Sequence, residues 1–100
     1  MALLYVPCKD QKEAEKISNS LLAKKLIACS NMIPIKSMYS WKGKTEKSNE
    51  VLIIAKTNKK NAKKAEEIIK KIHSYKVPAI IHIDSKSNKE FDKWADSVMG

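Results

Sequence analysis

Two thiols, Cys8 and Cys29, two imidazoles, His73 and His82, and three aromatic side chains, Tyr39, Trp41 and Tyr75, are the residues here whose types could do chemistry. A thiolate is a good ligand for soft metals such as Cu(I), and imidazole is the commonest nitrogen donor. The cysteines show no C-x-x-C spacing, and G-x-S-x-G, P-loop and H-E-x-x-H patterns are absent. No catalytic residue is therefore assigned, and the chain is not expected to be an enzyme. Cys29 lies among Ile27, Ala28 and Met32, where a cysteine without a cation beside it behaves as a small buried hydrophobe. His73 follows a helical stretch, so it can meet terminal carbonyls as readily as a metal. Tyr39, Trp41 and Tyr75 could enclose a ligand, but rigid aromatics with a polar tip are also typical anchors between subunits, the role expected of Trp41.

Charge narrows the partners. The net charge is +9, yet all 20 basic residues are lysine. Bidentate reading of guanine and stacking on bases rely on arginine, whereas lysine is a strongly hydrated point charge. Specific nucleic-acid recognition is disfavoured. No apolar run approaches the roughly 18 residues of a membrane span, and residues 1–6 lack the basic start of a signal peptide. The expected location is the cytoplasm, where both cysteines stay reduced.

The elements that must position these residues are legible from pattern. Residues 1–6 read as a buried strand ended by Pro7. Asp10 with Glu13 resembles a capping box, opening a helix whose Ala14, Ile17 and Leu21 share one face. β-Branched and apolar residues fill 27–39 and 51–55, and Gly43 supplies the reversal of a long hairpin between them. Because 51–55 does not alternate with polar residues, both of its faces must leave water. Asn58 or Asn61 caps a second helix with a stripe of Ala62, Ala65, Ile68, Ile69 and Ile72. A strand over 77–83 and a last helix with Phe91, Trp94, Ala95 and Val98 buried complete the chain. The order β-α-β-β-α-β plus a C-terminal helix predicts one α+β domain over 1–100, a ferredoxin-like antiparallel sheet with helices on one face.

Four blocks carry a family resemblance: Ala28-Cys29-Ser30-Asn31-Met32-Ile33-Pro34; Ser37-Met38-Tyr39-Ser40-Trp41-Lys42-Gly43-Lys44; Glu50-Val51-Leu52 with Lys56-Thr57; and His73-Ser74-Tyr75-Lys76-Val77-Pro78-Ala79-Ile80. In this order they resemble the CutA divalent-cation tolerance family. The resemblance implies a ferredoxin-like subunit in a tight homotrimer, no reaction, no required cofactor, and a role in binding copper or another divalent cation. It nominates Cys29 and His73 as metal donors, and Lys56 matches a lysine of the family blocks; with Tyr39 and Tyr75, Lys56 is expected to line a cleft between subunits. Three donor positions of some members are missing, with Val6, Ile72 and Ala79 in their place. Since a transition-metal site commonly needs three or four protein donors, Cys29 and His73 would have to recruit others. The alternative is a trimeric scaffold or sensor whose cleft takes a small anion.

Overall fold

Leu4, Val6 and Cys8 are fully buried while Leu3, Tyr5 and Pro7 between them are half-buried, the period-two signature of a strand covered on one face. In the computed structural model, which describes residues 1–100, this strand is β1 (Ala2–Cys8). It runs past Pro7, expected to end it. The reason is geometric: the Pro7 carbonyl turns away from the neighbouring hairpin to meet His73, and a strand residue directs N and O to the same side. The missing N–H therefore falls where no strand pairs.

Helix α1 (Gln11–Ala23) starts as its sequence suggests, with the Glu13 N–H donating to Asp10 Oδ1 at 2.8 Å. Ala14, Ile17 and Leu21 are fully buried. The reciprocal half of the capping box does not form, because the Glu13 carboxylate accepts from Lys9 and Ser74 instead. Strands β2 (Cys29–Trp41) and β3 (Lys44–Thr57) pair without a bulge from Cys29↔Lys56 to Trp41↔Lys44. The two turn residues, Lys42 and Gly43, have φ of 50° and 76°, the doubly positive geometry that matches strand twist in a two-residue hairpin.

Asn58 Oδ1 accepts from the Asn61 N–H at 2.8 Å and caps α2 (Lys59–Ile72), which buries Ala62, Ala65 and Ile69. Strand β4 (Ile81–Asp84) is shorter than the expected 77–83 and pairs only with Ala2–Tyr5 of β1. Val77, 86% exposed, stands outside the ladder. Helix α3 (Lys89–Met99) seats Ala95 and Met99 against Ala28 and Met1 at the end of the sheet. This orientation leaves Trp94 and Val98 exposed in the single chain, against the expectation that both are buried.

The four strands form one antiparallel sheet in the order β2-β3-β1-β4, and with three helices the fold is α+β. The main core gathers Leu4, Val6, Ile17, Leu21, Ile53 and Ile69 between the sheet and α1 and α2. Strand alternation places Leu3, Tyr5, Ile33, Leu52, Ile54, Ile81 and Ile83 on the opposite face, where Ile33, Ile81 and Ile83 are 40–49% exposed. Beyond Pro34↔Val51, the β2–β3 hairpin continues with no third strand, which gives the molecule a long axis of 46 Å.

Candidate functional site

Most residue types with chemistry fall into two groups at opposite ends of the sheet, while His82 of β4 stands apart with its Nε2 2.6 Å from Glu66 of α2. At one end, β1 finishes at Cys8, α1 begins, and the chain leaves α2 through His73, so three elements meet. Cys8, Glu13 and His73 are all buried there, with candidate ligand atoms within 4.8 Å of one another. Glu13 Oε1 accepts from the Lys9 N–H at 3.0 Å and Oε2 from the Ser74 N–H at 2.8 Å. His73 Nε2 lies 2.9 Å from the Pro7 carbonyl, which can only accept, while Nδ1 accepts from the Tyr75 N–H at 3.0 Å. These partners select the tautomer with its proton on Nε2. The 3.9 Å approach of Nδ1 to Glu13 Oε1 is thus a contact between two acceptors and not an ion pair.

Burial sets the electrostatics. It pushes the Cys8 thiol up to about 12, with the negative charges of Glu13, Glu50 and Asp10 adding to the effect. Burial also opposes ionisation of Glu13, but hydrogen bonds from Ser74 and the Lys9 backbone outweigh it and hold the carboxyl below the usual range. Tyr75 packs its ring on His73 at a centroid distance of 4.7 Å and donates its hydroxyl to Glu50 Oε2 at 2.6 Å. Its hydroxyl is driven up by burial first and by that carboxylate second, and Tyr39 is near enough to contribute.

Cys29 belongs to the other end. It is half-buried, opposite Lys56 in a register row that continues to Leu3 of β1. Lys56 extends its ammonium to 5.4 Å from the Phe91 ring centre, a cation–π contact with α3. The His73 contact on β1, Pro7, is four residues from Leu3, roughly 13 Å along the strand, and on the far side of β1 from the hairpin. One chain therefore does not bring Cys29 and His73 to a common ion. Nor does it unite the expected cleft residues: Tyr75 bonds Glu50, Tyr39 stands four residues along β2 from Ile35, the partner of Glu50, and Lys56 is six residues along β3 in the other direction, roughly 20 Å away. Trp41 is 59% exposed at the hairpin tip, touched by Lys42 at 5.9 Å.

A shallow depression of ≈ 400 Å³ beside the buried cluster is lined by Lys9 and Lys36 but also by Asp10 and Glu50, mixed charge that does not select an anion. Sequence reasoning passed over Glu13 as a site residue. Its signal was present: Glu13, Ile17 and Leu21 are spaced by four, so the carboxylate shares the helix face that enters the core. Cys8 likewise continues the inward row of Leu4 and Val6.

Comparison with known proteins gives a consistent result. A family model described as CutA1 divalent ion tolerance protein matches residues 2–98. The chain is 39% identical over 98 residues to the divalent-cation tolerance protein CutA of Thermococcus kodakarensis, covering 97% of this chain and 94% of the relative. It is 40% identical over 95 residues to the protein of that name from Pyrococcus horikoshii, covering 94% and 93%. The solved structure of the periplasmic divalent cation tolerance protein CutA from Archaeoglobus fulgidus superposes with a TM-score of 0.96 at 37% identity, over 100% of both chains.

Proposed function

This chain belongs to the CutA1 divalent ion tolerance family, and from that premise we propose that it works as a non-catalytic homotrimer of the divalent-cation tolerance type. The observation that carries the assembly is the uncovered apolar face of the sheet. Ile33, Ile81 and Ile83 are exposed there in a single chain, beside Leu3, Tyr5 and Ile54. A contiguous face of this kind marks an association surface, and a domain of 100 residues gains much from covering it. The projecting half of the hairpin argues the same way, since two strands alone are marginally stable in water and neighbours would give them a third. Both sheet edges, β2 and β4, offer backbone groups for such contacts. The number three comes from the family expectation, and closed cyclic symmetry satisfies every copy equally.

For the cation, Cys29 is the donor this reading uses. It is a half-buried free thiol, and copper is the metal whose softness suits it. One thiol needs further donors, which neighbouring subunits would supply. No helix is long and apolar enough to cross a membrane. Two free thiols suit a reducing compartment, so the cytoplasm is the location we assign.

Sedimentation equilibrium at micromolar concentration tests the assembly. The expected result is one species at three times the chain mass, with Ile81→Lys and Ile33→Asp shifted toward monomer. A parent chain that stays monomeric would refute the reading. Copper titration of the trimer, with Cys29→Ser beside it, tests the donor: undiminished affinity in the variant would remove Cys29 from the site.

A further inference from the structure

The buried cluster of Cys8, Glu13 and His73 is where a resident cation would first be sought, because thiol, carboxylate and imidazole together are a donor set that suits zinc. The geometry is against it. Both Glu13 oxygens are taken by backbone N–H groups, and both His73 nitrogens by backbone partners. No buried side-chain nitrogen or oxygen in the chain lacks a hydrogen-bond partner, so no orphaned donor awaits an ion. A cation on Nδ1 would orphan the Tyr75 N–H, one on Nε2 would orphan the Pro7 carbonyl, and one on the carboxylate would free Lys9 or Ser74. Tetrahedral zinc also draws nitrogen and oxygen donors to about 3.4 Å of one another, closer than the 3.9 Å between Nδ1 and Oε1.

We infer that Glu13 and His73 form a closed hydrogen-bonded latch beside Cys8 rather than a cation centre with it, and that the latch must open before any thiophilic cation reaches Cys8. The carboxylate of α1 holds Ser74, the imidazole holds Pro7 of β1 and Tyr75, and the segment that leaves α2 is thereby fastened beside the thiol, whose sulfur lies within 4.8 Å of their ligand atoms. Cys8 is 0% exposed and finds only the Val6 carbonyl, 3.7 Å away. Burial that keeps the thiol protonated adds to the barrier, since the thiolate is the ligand and the nucleophile. This holds whether or not the chain trimerises, and it separates the two cysteines by function: Cys29 for ligation, Cys8 for packing under the latch.

Cobalt(II) is the probe for ligation, because a thiolate bound to it gives a near-ultraviolet charge-transfer band. Titration in a Cys29→Ser background should give no such band, and adding Cys8→Ser should change cobalt affinity less than about twofold. A stoichiometric band that Cys8→Ser abolishes would overturn the inference. The latch is tested in the same background by labelling Cys8 with an aromatic disulfide. Labelling should be at least about 100-fold slower than in the urea-unfolded chain and at least about tenfold faster in Glu13→Gln. A Cys8 that labels at the unfolded rate in the parent, or an unchanged rate in a folded Glu13→Gln, would overturn the latch. Amide exchange at Ser74 and Tyr75 gives a second readout: both should be protected in the parent and exchange faster in Glu13→Gln, and unprotected amides in the parent would refute the fastening.

Discussion

Replacing Tyr75 with Phe removes one hydroxyl and leaves the ring on His73, so it isolates a single bond. That bond, from Tyr75 to Glu50 at 2.6 Å, joins the segment after α2 to β3. A hydrogen bond to a charged acceptor contributes about 1.5–3 kcal/mol, but both side chains are only half-buried and Glu50 regains water when the hydroxyl leaves. The loss expected for Tyr75→Phe is therefore about 1–1.5 kcal/mol. Glu50→Gln keeps an acceptor without the charge and should cost about 0.5–1 kcal/mol. Because the hydroxyl keeps a neutral partner in Glu50→Gln, the coupling in the double variant should be about 0.5 kcal/mol. The assay is urea unfolding at one fixed protein concentration, since the proposed assembly would make stability depend on concentration, with m-values compared across the cycle. A coupling below about 0.3 kcal/mol would show that the Glu50 charge adds nothing net to the bond, and a loss below about 0.3 kcal/mol for Tyr75→Phe itself would show that the bond contributes nothing net. A loss above about 3 kcal/mol with a changed m-value would mean that the hydroxyl organises more than this contact. The pH dependence follows in sign. The hydroxyl titrates above the usual tyrosine value when folded, because of burial and then Glu50. Its contribution is present below about pH 10 and lost as pH rises from there toward the higher folded value, a loss Tyr75→Phe should abolish.

Gly43→Ala should cost about 1 kcal/mol and no more, because nothing lies within 4 Å of the added Cβ and only the positive φ is penalised; Gly43→Asn should recover part of it in the same unfolding assay. Trp41→Ala should leave the circular dichroism of the subunit intact, since the ring is 59% exposed, and weaken assembly at least about tenfold by sedimentation. The Glu66 carboxyl is held below its usual value by His82 and Lys70, so its contribution is present above about pH 4.5 and lost as pH falls through the lower folded value. Glu66→Gln should cost about 0.5–1 kcal/mol at pH 7, nothing near pH 2, and less in high salt. Leu4→Ala, at a fully buried site between sheet and helices, should lose about 3–4 kcal/mol in urea unfolding.

Features written in short-range pattern were legible in the sequence. The inward row of Leu4 and Val6, the stripe of Ala14, Ile17 and Leu21, the reversal at Gly43 and the cap at Asp10 each depend on residues within a turn or a strand pair of one another. Local sterics and backbone hydrogen bonding decide such features, so one sequence suffices, and their order yields the α+β sheet. Long-range packing decided the rest. Pro7 looked like a stop until register placed its missing N–H beside no strand, and 77–80 looked like strand until β4 was found to pair with only four residues of β1. Trp94 and Val98 carry the spacing of a buried stripe, yet the way α3 crosses the end of the sheet turns them outward. The meeting of Cys8 and Glu13 with His73, 60 and more residues away, was out of reach for the same reason. Which backbone groups a carboxylate and an imidazole satisfy depends on how α1, β1 and the exit of α2 pack in three dimensions, and no local periodicity encodes that.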